Sequence, residues 1–95
     1  MSAYVIVDVD VQDPVRYEDY RRIAAPTVMA HGGRYIVRGG AVERLEGEWE
    51  PGRIVVLEFP TVEQARAWWS SDDYAPGKTL RQETATTQMI LVEGV

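Results

Sequence analysis

Ninety-five residues with 10 basic and 15 acidic side chains carry a formal charge of −5, and 45% of the residues are hydrophobic, the composition of an ordinary soluble globular protein. Nucleic-acid binding draws its affinity from basic side chains that release counterions, so this balance argues against it, and the lack of cysteine excludes disulfides, thiolate metal sites and a thiol nucleophile. One histidine cannot build a His-rich metal site, Met1–Ile6 has neither a basic segment nor a long apolar core, and no apolar run is bilayer-sized; one cytoplasmic domain over residues 1–95, with no metal or cofactor, is expected.

Ala3–Val11 is rich in β-formers, and Val7-Asp8-Val9-Asp10-Val11 alternates strictly, predicting a strand. Val5, Val7, Val9 and Val11 share one face; Tyr4, Ile6, Asp8 and Asp10 share the other. Both faces begin apolar, so both should be covered. Asp13-Pro14 predicts a helix start, with Asp as N-cap and Pro where no N–H is needed. The helix should run to about His31, with Tyr17, Tyr20, Ala24, Val28 and His31 on one face and a kink or break at Pro26. Gly32-Gly33 ends it, because glycine tolerates the left-handed conformation past a helix C-terminus.

A second strand follows from Arg34, with Gly39-Gly40 predicted as a bulge or sharp bend and strand pattern resuming over Ala41–Leu45. The turn-rich Glu46–Gly52 closes a hairpin onto a third strand, Arg53–Phe59. Thr61 and Gln64 form a capping box for a helix from Val62 that packs through Ala65, Trp68 and Trp69. Ser70–Lys78, with Pro76-Gly77, is predicted as a break before a short helical turn around Leu80-Arg81-Gln82, and Thr86–Glu93 as the last strand. The order βαββαβ predicts an α+β, ferredoxin-like fold: an antiparallel four-stranded sheet with helices on one face. That plan hosts many unrelated functions and does not by itself name one.

Several pieces in their order, Ala3-Tyr4-Val5-Ile6-Val7, Asp13-Pro14 with Tyr17 and Tyr20, Gly32-Gly33-Arg34-Tyr35 with Val37-Arg38-Gly39-Gly40, Leu57-Glu58-Phe59-Pro60, and Ala65 with Tyr74, resemble domain-of-unknown-function family 1330. The resemblance covers nearly the whole chain and implies a protomer of the dimeric α+β barrel superfamily, in which two sheets face each other with the helices outside. Relatives of that superfamily include cofactor-independent monooxygenases, haem-degrading enzymes, muconolactone isomerases and small proteins linked to ether degradation. The family itself has no established reaction. A homodimer through the sheet face explains the two-faced first strand: Val5, Val7 and Val9 would meet the helices while Tyr4, Ile6 and Asp8 meet the partner, over an interface of about 1,600 Å².

His31 is the one side chain that ordinarily titrates near neutrality, so it is a candidate general base; a simple helix-end histidine is the alternative. Arg38 suits a carboxylate or enolate through its planar fork, or else pairs with Glu58 or Asp8. Arg81 follows a loop and could clamp an anionic ligand, or make a surface or dimer contact. Tyr17, Tyr20 and Trp68, with Tyr35 and Tyr74 as looser candidates, would line a pocket for a flat organic molecule or form plain core. Trp49 in the hairpin turn should be buried by the partner subunit. Asp8 and Asp10 share a strand face, with at most one deeply covered, and Glu46, Glu48 and Glu50 lie in a solvated loop. No P-loop, dinucleotide glycine motif or serine nucleophile elbow is present.

The reading that emerges is a homodimeric, cofactor-free barrel that binds a small aromatic or carboxylate-bearing metabolite, with neither nucleic acid nor membrane as a partner. Catalysis would be that of a cofactor-independent monooxygenase or isomerase, with His31 as base and Arg38 stabilising negative charge. A non-catalytic dimeric binding module and a haem-handling protein with His31 as ligand are the alternatives.

Overall fold

The computed structural model describes all 95 residues. Strand β1 (Ala3–Val11) leads into helix α1 (Pro14–Ala30), then β2 (Arg34–Arg38) and β3 (Arg53–Phe59), helices α2 (Val62–Trp69) and α3 (Ala75–Thr84), and β4 (Ala85–Glu93). The strands form one antiparallel sheet in the order β2-β3-β1-β4, the ferredoxin-like arrangement that the element order predicts. No helix is long and apolar enough to cross a membrane.

Register fixes which side chains share a face. Val5 lies between Leu57 and Leu91, Val7 between Val55 and Met89, and Val9 between Arg53 and Thr87. This inner face meets the helices, and the core gathers there: Val5, Val7, Val9, Leu57 and Phe59 from the sheet, Tyr17, Ala24 and Val28 from α1, Ala65 and Trp68 from α2, and Tyr74 just before α3. Tyr4, Ile6, Asp8, Ile54, Val56, Glu58, Ile90 and Val92 occupy the outer face, which no helix covers.

The first helix is capped as its sequence requires. Asp13 accepts from the Arg16 N–H at 3.2 Å, and Pro14 occupies a first-turn position whose missing N–H costs no hydrogen bond. Its C-terminus closes in a Schellman motif: Gly33 N–H donates to Val28 C=O at 2.9 Å and Gly32 N–H to Met29 C=O at 3.0 Å, with Gly32 at φ +81°. Gly33 is needed for a second reason. A Cβ there would stand 2.5 Å from Phe59 Cε1 and 2.8 Å from Val28 Cγ1.

Four expectations are corrected. Pro26 does not break α1, which continues to Ala30. The strand irregularity falls between Tyr35 and Val37, not at Gly39-Gly40; β2 ends at Arg38, where Gly39 turns the chain out at φ +72°. No strand forms over Ala41–Leu45: β2 pairs with β3 as far as Val55, the Gly39 N–H bonds the Ile54 carbonyl at 2.8 Å, and β3 offers only Arg53 and Ile54 beyond the last β2 pair, too short a stretch for a further ladder. The supposed break at Pro76-Gly77 is the start of the ten-residue α3. Pro76 lies in the first turn, where its missing N–H is harmless, and Gly77 permits close approach to α1, since a Cβ there would lie 3.1 Å from Ile23 Cγ2.

Candidate functional site

Between the helix layer and the inner sheet face lies a cavity of about 30 Å³, room for a water or two. Val7, Val9, Val55 and Leu57 floor it, Tyr17 and Tyr20 descend from α1, Trp68 from α2 and Arg81 from α3, and Met89 closes the β4 side. Tyr35, Arg38 and Arg53 complete the wall from β2 and β3, with Arg21 of α1 beside them. Six residues singled out in the sequence therefore meet in one place: Tyr17, Tyr20, Tyr35, Arg38, Trp68 and Arg81.

His31 is not among them. It caps α1, its Nδ1 lies 2.9 Å from the Thr27 carbonyl oxygen, and its own carbonyl accepts from Gln64 Nε2 at 3.3 Å. A carbonyl only accepts, so Nδ1 is the protonated ring nitrogen. The geometry is that of a helix-end residue tying α1 to α2. Glu58 pairs with Arg34 at 2.7 Å, and Asp8 accepts from Trp49 Nε1 and the Gly52 N–H, so neither is the partner considered for Arg38. Arg38 sits opposite Val55 on the inner face with its guanidinium 4.3 Å from the Tyr35 ring centre.

Arg81 has the least expected environment. It is only 4% exposed, yet no carboxylate lies within ion-pair distance. Its Nε donates to Tyr74 Oη at 3.4 Å and its Nη1 to Thr87 Oγ1, both neutral acceptors. Arg38 and Arg53 likewise make no ion pair. Arg81 thus brings a buried charge without a counter-ion to an aromatic cavity that the exposed Arg38 and half-buried Arg53 also line, in a protein that is acidic overall. A buried cation without a counter-ion is costly, and an anion is what such a site lacks.

The phenols reinforce this character. Burial pushes Tyr17, Tyr20 and Tyr35 above the ordinary tyrosine value, and for Tyr20 the neighbouring Tyr74 adds to the shift. They remain neutral hydrogen-bond donors at physiological pH. The cavity wall holds neither a carboxylate nor an imidazole, so it can bind and stabilise an anion but has no side chain suited to abstracting a proton near neutrality. No group of three or more His, Asp or Glu side chains is placed to hold a metal ion.

The aromatic rings form a continuous run, Tyr17 to Tyr20 at 5.2 Å, Tyr20 to Tyr74 at 6.4 Å, Tyr74 to Trp68 at 4.2 Å and Trp68 to Phe59 at 5.6 Å between centres. Sequence reasoning missed Arg53, although its alternation with Val55 and Leu57 puts a charge on the core side of β3. Arg81 was legible in the same way: Tyr74, Gly77, Arg81 and Thr84 recur at helical spacing, and all four are buried.

The sheet order and one-sided helix layer make a ferredoxin-like α+β fold. The model of the family described as Domain of unknown function (DUF1330) matches residues 2–95, and the chain belongs to that family. Among solved structures, a protein of unknown function from Rhodopseudomonas palustris superposes with TM-score 0.80 at 17% identity, covering 99% of this chain and 82% of the other. SnoaB, a cofactor-independent oxygenase from Streptomyces nogalater, gives TM-score 0.70 at 14% identity over 99% and 93% of the two chains. An ethyl tert-butyl ether D (EthD) family protein from Bacillus halodurans gives 0.56 at 12% identity over 100% and 99%. These likenesses establish the fold. No curated protein matches the chain.

Proposed function

We propose that the protein is a homodimer that binds a small aromatic or carboxylate-bearing metabolite between its helices and its sheet, and that the bound anion reacts there with dioxygen without a cofactor. The observation that carries this reading is Arg81, a buried guanidinium with no carboxylate partner on the wall of an aromatic cavity. Arg38 and Arg53 add positive potential, and the neutral phenols add donors. A ligand larger than the present cavity would require the long arginine and methionine side chains on its wall to move aside.

In the proposed reaction the substrate supplies the electrons and dioxygen is the oxidant. A CH2 made acidic by a neighbouring ring or carbonyl becomes C=O: one oxygen atom enters the product, and the other leaves as water with the two hydrogens. Arg81 and the tyrosines would hold the enolate or phenolate oxygen from which electrons flow. This favours oxygenation of a ligand already ionised over isomerisation, which needs a base that the cavity wall does not offer. His31 has no part in the scheme. The likeness in fold to SnoaB supports it only by analogy.

The homodimer rests on the outer sheet face, where Ile6, Ile54, Val56, Val37, Ile90 and Val92 lie without cover. Beside them an open recess of about 550 Å³ runs between the sheet and the 40–51 loop, floored by Val37 and Ile54 and walled by Val42, Leu45 and Trp49. Leu45 is 90% exposed and Trp49 62% exposed in the single protomer, large apolar surfaces that a second sheet would cover.

A thermal-shift and oxygen-uptake screen with aromatic acids and phenols tests the reading. A ligand at a hundred times its Kd should stabilise by about 2.7 kcal/mol, and Arg81→Met should remove the response while the variant stays folded. Oxygen consumption with an activated-methylene phenol should follow the same dependence. Absence of any shift across the aromatic acids would overturn the binding reading, and binding without oxygen uptake would leave a binding module.

A further inference from the structure

Tyr74 is fully buried, and its hydroxyl has two hydrogen-bonding neighbours: Arg81 Nε at 3.4 Å and Tyr20 Oη at 3.1 Å. The guanidinium can only donate, so at Arg81 the Tyr74 oxygen is an acceptor. The Tyr74 proton then has one acceptor left, the Tyr20 oxygen. A buried hydroxyl that failed to use it would leave a proton unbonded at a cost comparable to a lost hydrogen bond. The chain therefore runs in one direction, Arg81 to Tyr74 to Tyr20.

The consequence falls on Tyr20. Its oxygen accepts from Tyr74, its own proton is committed to no protein group, and it lines the cavity together with Arg81. We propose that Tyr20 O–H and the Arg81 guanidinium form a two-donor cradle for a single oxyanion, and that Tyr74 is the positioning residue that orients both. The ligand class this selects is a small carboxylate, or a phenolate or enolate with one accessible oxygen. The inference rests on the reading of the cavity as an anion site and deepens it. The chain also polarises itself: the Arg81 charge strengthens the Tyr74 O–H as a donor, which in turn strengthens Tyr20. Burial holds the Tyr20 phenol above its ordinary value, so it keeps the proton that the cradle needs.

The geometry is testable without any ligand. In protein labelled at tyrosine ¹³Cζ and dissolved in equal H2O and D2O, a hydroxyl that exchanges slowly gives two resolved lines and a fast one gives a single averaged line. Tyr74 should give two and Tyr20 one; a slowly exchanging Tyr20 proton beside a fast Tyr74 would reverse the chain and overturn the proposal. The second measurement is calorimetric titration with benzoate, and with benzamide as the neutral shape-matched control. Benzoate should bind more tightly than benzamide, and Tyr20→Phe should weaken benzoate by about tenfold or more. Tyr74→Phe should weaken it as well, although its side chain would not touch the ligand. Tyr20→Phe binding benzoate as well as the parent would remove the cradle and leave the anion site standing. A parent protein that binds benzoate no better than benzamide would overturn the anion site and the cradle together.

Discussion

The indole Nε1 of Trp68 donates to Thr27 Oγ1 at 3.1 Å, and the Thr27 hydroxyl donates in turn to the Ala24 carbonyl at 2.7 Å. Trp68 is almost wholly buried and supports one side of the cavity, so this pair of bonds fixes the ring that Tyr74 stacks on. Thr27→Val keeps the shape and leaves the indole N–H without a partner. It should cost about 1–3 kcal/mol, read from urea denaturation with an unchanged m-value. A cost below a few tenths would mean that the indole finds another acceptor.

Gly33 is a steric requirement. Alanine there would press on Phe59 and Val28 at once, both of them core side chains with no free end to swing away. Gly33→Ala should lose about 1–3 kcal/mol, whereas Gly40→Ala, with nothing within reach of its Cβ, should be nearly neutral. Equal thermal stability of the two variants would contradict the packing described.

Much of the architecture is legible because its signals are local. Asp13-Pro14, Gly32-Gly33 and Thr61 with Gln64 act within a turn of their own positions, and they set helix ends where the structure has them. The misplaced elements depend on partners distant in the chain. Ala41–Leu45 alternates like a strand, but alternation cannot reveal that β3 extends only two residues past its last pair with β2. Pro76-Gly77 looks like a break in either context; only the packing of Gly77 against Ile23 makes it a helix start. Site residues divide the same way. Tyr17 and Tyr20 follow from helical spacing, while the importance of Arg81 lies in the carboxylate it lacks, which no sequence position announces.

The tyrosines give the protein a characteristic alkaline limit. Tyr17, Tyr20 and Tyr35 ionise above their ordinary value in the fold, chiefly through burial, and near 10 in the unfolded chain. Their contribution is complete below pH 10 and is lost as pH rises from there towards the raised native values, because the unfolded chain releases these protons first. Tyrosinate absorbance should therefore climb in a step that coincides with loss of circular dichroism. Gradual ionisation of all five tyrosines around pH 10 with the fold intact would argue against the buried cluster.

At the acid end, the Arg34 hydrogen bond holds Glu58 below the usual carboxylate range. A lowered native value contributes stability above the unfolded value, and that contribution disappears as pH falls through the native one. Glu58→Gln should lower the melting temperature slightly at neutral pH, match the parent in acid, and so flatten the decline between the two. An identical acid profile in the variant would show that the pair makes no difference.

If two sheets face each other, Trp49 lies where the second would cover it, held to Asp8 at 3.0 Å on the outer face. Trp49→Ala should raise the dimer dissociation constant by roughly thirtyfold, the effect of removing a buried aromatic anchor. Sedimentation equilibrium checks it. A parent protein that sediments as a monomer at micromolar concentration would dispose of the dimer.

The two margins of the sheet are guarded unequally. β2 is short, irregular at Ile36 and flanked by Arg34 and Arg38, features that discourage another chain from extending the ladder. β4 forms the opposite margin over nine regular residues, and Met89-Ile90-Leu91-Val92 runs along it with the last three side chains exposed. Long, straight, apolar margins recruit strands from neighbouring molecules. Misassembly of this protein therefore has a built-in starting point: at high concentration, aggregates should nucleate at residues 89–92 and spare β2, so colloidal solubility is governed by one margin of the sheet.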